Sequence, residues 1–163
     1  MFKRFTAILL STVFFTFVTV AVFSGGQAEA SWHVVDGGHG ELYLFTESVD
    51  GCGMFSIDFV EGKKVEYHVN CDTTIDASSC AKVCIHSNSG VLCEEVWQET
   101  EDHTEVNMIE DQPSAFLSKL ESTDAVEINV ATCDGKPFDH TFSLKGLARI
   151  MKDHGVPTVR SLG

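Results

Sequence analysis

Six cysteines and seven histidines are the side chains here best suited to chemistry, and their spacing decides which chemistry is open to them. Cys52, Cys71, Cys80, Cys84, Cys93 and Cys133 make an even set, which in an exported domain points to disulfides, up to three of them. A metal centre is the competing use, because Cys80, Cys84, His86 and Cys93 would offer thiolates and an imidazole to zinc. Their intervals of four, two and seven residues match no common zinc pattern, so no metal site is assigned. Cys80 and Cys84 have three residues between them where the dithiol redox motif has two, which argues against thiol exchange. His33, His39, His68, His86, His103, His140 and His154 are read as polar, titratable groups, with copper or zinc capture at His68 or His140 the alternative. No Gly-x-Ser-x-Gly, His-Glu-x-x-His or phosphate-cradling glycine loop occurs in the chain after residue 30. No residue is therefore assigned a catalytic role, and no cofactor is expected. A Ser, a His and an Asp brought together by folding would leave no local pattern, which keeps a hydrolase open as an alternative.

The elements that must position these side chains are mostly strands. Trp32 to Val35 is a short strand, followed by the glycine-rich loop Asp36-Gly37-Gly38-His39-Gly40 and a second strand over Leu42 to Thr46. Phe55, Ile57 and Phe59 alternate with Ser56 and Asp58. After a turn at Glu61 to Lys64, Val65, Tyr67, Val69 and Cys71 resume the alternation, which predicts a hairpin with one buried face. Cys52 and Cys71 end this hairpin, and a bridge between them would clamp it. Residues 72–88 are polar and cysteine-rich, with a helical turn expected around Ser79 to Cys84. Val91 to Trp97 and Val106 to Ile109 read as strands of another hairpin. Pro113 with Phe116, Leu117 and Leu120 marks a short helix ending near Glu121. Val126, Ile128 and Val130, a turn at 133–137, and Phe138, His140 and Phe142 make a third hairpin. Ser143 is expected to cap a last helix carrying Leu144, Leu147, Ala148 and Met151 on one face, stopped by Gly155 and Pro157. The expected fold is mainly β (α+β): an antiparallel sandwich or sheet with two short helices towards the C-terminus, stapled by disulfides.

Charge and the N-terminus set the working environment. Lys3 and Arg4 precede an uncharged run from Phe5 to Phe23, and Ala28-Glu29-Ala30 offers the small residues of a signal-peptidase site. Residues 1–30 are read as a signal peptide and 31–163 as one domain that is periplasmic or secreted. Four threonines and the Ala-x-Ala site favour cleavage over a retained anchor, so no membrane association is expected afterwards. The leader holds two basic residues and one acidic, leaving nine basic against 23 acidic, a net charge of −14. Such a chain repels phosphate backbones and anionic lipid. Nucleic acid is excluded as a partner, and a basic protein is favoured. Eight acidic residues and no basic one lie between Glu94 and Asp111, and are read as a solvated face. Trp97, ringed by Glu94, Glu95 and Glu99, is the candidate anchor of a protein interface.

The order from Ala115 to Asp153, with Phe142-Ser143-Leu144-Lys145-Gly146 entering a closing helix, resembles the C-terminal half of the invasion-associated locus B protein family. Trp32-His33-Val34-Val35 is similar to that family's opening, although no cysteine follows before Cys52. The resemblance implies an exported, β-rich, non-enzymatic protein of the cell envelope or of host association, with Gly146 letting the helix start pack closely on a strand. A periplasmic inhibitor or immunity protein against a cationic hydrolase such as lysozyme is the alternative within binding proteins. Intact-mass measurement on protein recovered from its native host should give a product beginning at Ser31; a product beginning at Met1 would overturn the export reading.

Overall fold

The computed structural model describes residues 32–61, 64–71, 81–110, 115–131 and 137–156. The expected leader, Cys80, Cys133, Pro113, Pro157 and the turn at 133–136 lie outside these residues. Among the described residues, nine strands, numbered in chain order, form a single antiparallel sheet in the order β1-β2-β3-β4-β7-β6-β5-β8-β9. The strands are β1 His33–Gly38, β2 Glu41–Glu47, β3 Met54–Val60, β4 Lys64–Asn70, β5 Ala81–Ser87, β6 Gly90–Glu99, β7 Glu105–Glu110, β8 Ala125–Ala131 and β9 Pro137–Ser143. The described residues also include two short helices, α1 Ala115–Glu121 and α2 Leu147–Asp153.

Period-two patterning explains the architecture. Leu42 and Leu44, Phe55, Ile57 and Phe59, and Val65, Tyr67 and Val69 all point to one face and are buried. Ala81, Val83 and Ile85 continue that face on β5, and Val126, Ile128 and Val130 on β8. A flat sheet would leave this face wet, and twist curls it over instead. The two ends meet where Ser48, just past β2, bridges Phe142 of β9, and the Val49 N–H donates to the Thr141 carbonyl at 2.8 Å. α1 adds Phe116, Leu117 and Leu120 to the interior, and α2 adds Leu147 and Met151. The Phe116 ring meets Tyr67 edge-on with centroids 5.0 Å apart.

Several expectations are corrected. The helical turn around Ser79 to Cys84 is instead strand β5 from Ala81 onward, because Ala81, Val83 and Ile85 alternate with Lys82, Cys84 and His86. Ser143 caps no helix: it ends β9, and α2 starts later, at Leu147, from Gly146 at φ 89 with no side-chain cap. That left-handed φ is why glycine stands there, since a Cβ on Gly146 would meet nothing within 4 Å. The helix ends in a Schellman pair, with Val156 N–H bonded to the Met151 carbonyl and Gly155 N–H to that of Lys152. Only α2 lies near the C-terminus; α1 connects β7 to β8.

The disulfide staple is not present among the described residues, where Cys52, Cys71, Cys84 and Cys93 are all free thiols. Strand parity is the reason for the failed Cys52–Cys71 bridge. Cys71 continues the inward row of β4 and is 1% exposed, whereas Cys52 sits on the exposed turn after β2. Burial pushes the Cys71 thiol up to about 12. Cys84 and Cys93 are likewise split between faces, Cys84 beside outward Glu94 and Cys93 opposite inward Ile85. Trp97 is not an interface anchor either: it is 1% exposed and its ring tilts against Tyr67 at 6.5 Å. Trp97→Ala should lower the unfolding free energy by ~3–5 kcal/mol in urea titration. An unchanged midpoint would return Trp97 to the surface.

Candidate functional site: an acidic outer face around His68

The outward-facing residues of β2, β3, β4 and β7 build the most concentrated set of titratable groups in the described chain. Register places Tyr43 opposite Asp58, Asp58 opposite Glu66, Ser56 opposite His68, and His68 opposite Asn107. Glu105, opposite Asn70, lies diagonal to His68. Because these strands sit inside the sheet, each side chain is shaded by neighbours on both sides. The Asp58, Glu66, His68 and Glu105 side chains are accordingly no more than 26% exposed.

His68 is held between carboxylates. Its Nδ1 lies 2.7 Å from Glu105 Oε1, and its Nε2 lies 3.4 Å from Asp58 Oδ2 and 3.7 Å from Glu66 Oε2. Burial alone would push the imidazole down, but the Glu105 hydrogen bond and the Asp58, Glu105 and Glu66 charges outweigh it and raise its pKa. Burial pushes Asp58 up to about 6, against the pull of the His68 charge. Three carboxylates thus share one imidazole. The buried His68 Nε2 and Asn107 Oδ1 make no hydrogen bond, so the cluster is short of well-placed partners. Among the described residues, no group of three or more His, Cys, Asp or Glu side chains could hold a metal ion.

Acidic groups continue around this face. An open hollow of about 330 Å³ beside Glu105 is lined by Asn70, Thr100, Glu101, Asp102 and Thr104. Aromatic surface flanks the other side, where His33 stacks on Phe45 with centroids 4.9 Å apart and the Tyr43 hydroxyl donates to Glu41 at 2.8 Å. The acidic run at 94–111 is not one uniform solvated face. Glu94 pairs with Lys82 at 2.6 Å, Glu95 is exposed, and the Glu99 side chain is 3% exposed and pairs with His103. Glu110 accepts from the Tyr67 hydroxyl at 2.9 Å. Of the expected interface, Glu94 and Glu95 remain at the surface, while Trp97 and Glu99 are withdrawn.

Sequence reasoning treated His68 as a single polar group and missed the cluster. Its members are spread over Asp58, Glu66, His68 and Glu105; the β3–β4 hairpin brings the first three together, and only the pairing of β4 with β7 adds Glu105. A second imidazole–carboxylate contact sits at the seam, where Asp50 binds His140 Nδ1 at 2.8 Å and receives the Ser48 hydroxyl at 2.6 Å. The hydroxyl there is bonded to the carboxylate and not to the imidazole, so the groups stand in the wrong order for a nucleophilic triad. Cys84 Sγ and His86 Nε2 are 3.1 Å apart on the outer face of β5, away from Cys93.

Both shifted groups of the cluster tie stability to pH. Asp58 and His68 have folded pKa values above their unfolded ones, so the stability each gives is full at low pH and is lost as pH rises through the folded pKa. For Asp58 that window runs from its ordinary value of 3.8 to about 6. Asp58→Asn should raise stability at pH 8 by ~1–3 kcal/mol and flatten the decline across that window, read from urea midpoints. A loss of stability at pH 8 would contradict the burial argument.

No family model, curated protein or solved structure matches this chain, and none identifies the invasion-associated locus B family.

Proposed function

We propose that this chain is an exported, non-enzymatic binding protein that captures a basic protein on the acidic outer face of β3, β4 and β7, at the cell envelope or outside the cell. The observation that carries this reading is the partly desolvated set of Asp58, Glu66 and Glu105 around a single imidazole. A guanidinium or ammonium from a partner would supply the missing positive charge in a half-buried setting, where an ion pair is worth more than at the open surface. The surrounding face is a broad sheet surface with aromatic Tyr43 and Phe45 at its side, a shape suited to a macromolecule. The chain's net charge of −13 would steer a basic partner towards it.

Calorimetric titration against lysozyme and ribonuclease A, two basic globular probes, tests the reading, with serum albumin as the acidic control. At least one basic probe should bind, and Glu66→Gln with Glu105→Gln should weaken it roughly 10-fold or more. Raising ionic strength should also weaken it. Binding that ignores both substitutions, or none to either basic probe, would sink the proposal. Inhibition of lysozyme turnover in the same titration would narrow the function to an enzyme inhibitor.

A further inference from the structure

β6 and β7 are neighbours in the sheet, yet only two residue pairs join them, Gln98 with Asn107 and Glu99 with Val106. Continued in the same register, the ladder would next set Trp97 against Met108, Val96 against Ile109 and Glu95 against Glu110. It does not continue. Like charges set directly opposite destabilise a strand pair, and Trp97 is committed to the core beside Tyr67. From Val91 to Val96 the β7-facing edge of β6 therefore has no strand partner among the described residues, although β5 pairs along its other edge.

Free strand edges in natural proteins are usually guarded by lysine, proline or a bulge that turns them away. Residues 91–98 contain no lysine, arginine or proline, and the bulge in this strand, where the pairing with β5 skips Leu92, lies at the far end of the edge and leaves Cys93 to Val96 in regular register. Exposed apolar groups flank the gap instead, Val96 at 66% and Ile109 at 52%. Ile109 is also the register partner of Glu66, so the gap is continuous with the acidic face around His68.

We propose that the parting of β6 and β7 is a docking slot for an extended basic segment of a partner protein, which adds as a strand along the free edge of β6. The proposal rests on the basic-partner reading above and specifies how that partner is held. Alternation along the added strand would place a β-branched side chain between Val96 and Ile109, and a lysine or arginine between Glu95 and Glu110. Charge decides against a second copy of this chain, since an antiparallel pairing of β6 with itself centred on this stretch would set Glu94 of one copy against Glu95 of the other.

The test uses a synthetic Lys-Val-Lys-Val-Lys-Val-Lys amide and a control peptide with proline for the central valine. Hydrogen exchange on the full chain should show slowed amides within residues 91–96 when the first peptide is present and not with the control. Glu95→Lys and Val96→Lys, both at exposed positions, should each weaken that peptide roughly 10-fold or more, with circular dichroism confirming the fold. Lysozyme or ribonuclease A binding that Glu66→Gln and Glu105→Gln weaken, with the peptide leaving residues 91–96 unprotected, would overturn the slot while the acidic-face reading stands. Failure of both basic proteins and the peptide would overturn both. A concentration-dependent dimer that excludes the peptide would also overturn the slot, by giving the edge to a second copy.

Discussion

The two-residue alternation of a sheet curled over on itself is the constraint from which the rest of this structure follows. One face must be dry, so the inward positions of the strands between Leu42 and Phe142 are mostly aliphatic or aromatic and buried, with Thr46 a polar exception. The other face receives everything the core refuses. With far more acidic than basic residues in the chain, that outer face is negative by default. Neighbouring strands then bring carboxylates together faster than lysines can separate them. The cluster around His68 is thus a consequence of strand order as much as of composition. Glu105 reaches the imidazole only because β7, and not β5, is hydrogen-bonded to β4.

Much of the fold was legible in the residues, and the reason is the same alternation. The β3–β4 hairpin, the β8 and β9 pair and helix α1 could be placed because their buried residues recur at strand or helix spacing within a single segment. β5 was missed because cysteines, serines and threonines at 72–88 masked its inward row Ala81, Val83 and Ile85. Ser143 misled because a capping residue before an apolar run also fits the end of a strand, and tertiary pairing with Ala125 decided in favour of the strand. The candidate site was only partly legible. Glu94 and Glu95 were found at the surface, but Trp97 and Glu99 point inward, and no local pattern distinguishes a tryptophan that seals a core from one that presents itself to a partner. The cysteines mislead in a similar way. An even count in an exported chain suggests bridges, but pairing depends on which face each side chain takes, and Cys71 and Cys52 take different ones.

The same acidic residues play unlike parts according to their partners. Glu94 is paired with the Lys82 ammonium and Glu99 contacts His103, whereas Glu110 accepts only the neutral Tyr67 hydroxyl and keeps its charge. Asp58 has burial without a full counter-charge, and Glu95 has neither burial nor a partner ion among the described contacts. Charge that is already paired inside the molecule has little to offer another one. The acidic surface left without an opposite charge is therefore smaller than the composition suggests, and it runs from the face around His68 to the place where the ladder between β6 and β7 gives way.

The seam between Ser48 and Phe142 has a kinetic implication. Asp50 and His140, which clasp it, stand 90 residues apart in sequence. Bringing such distant points together is entropically demanding, and the adjoining β2–β3 and β8–β9 hairpins can form without it. The curled sheet is thus expected to zip up from its local hairpins and to shut last at this clasp, leaving the inner apolar face open to the wrong neighbours until Asp50 finds His140.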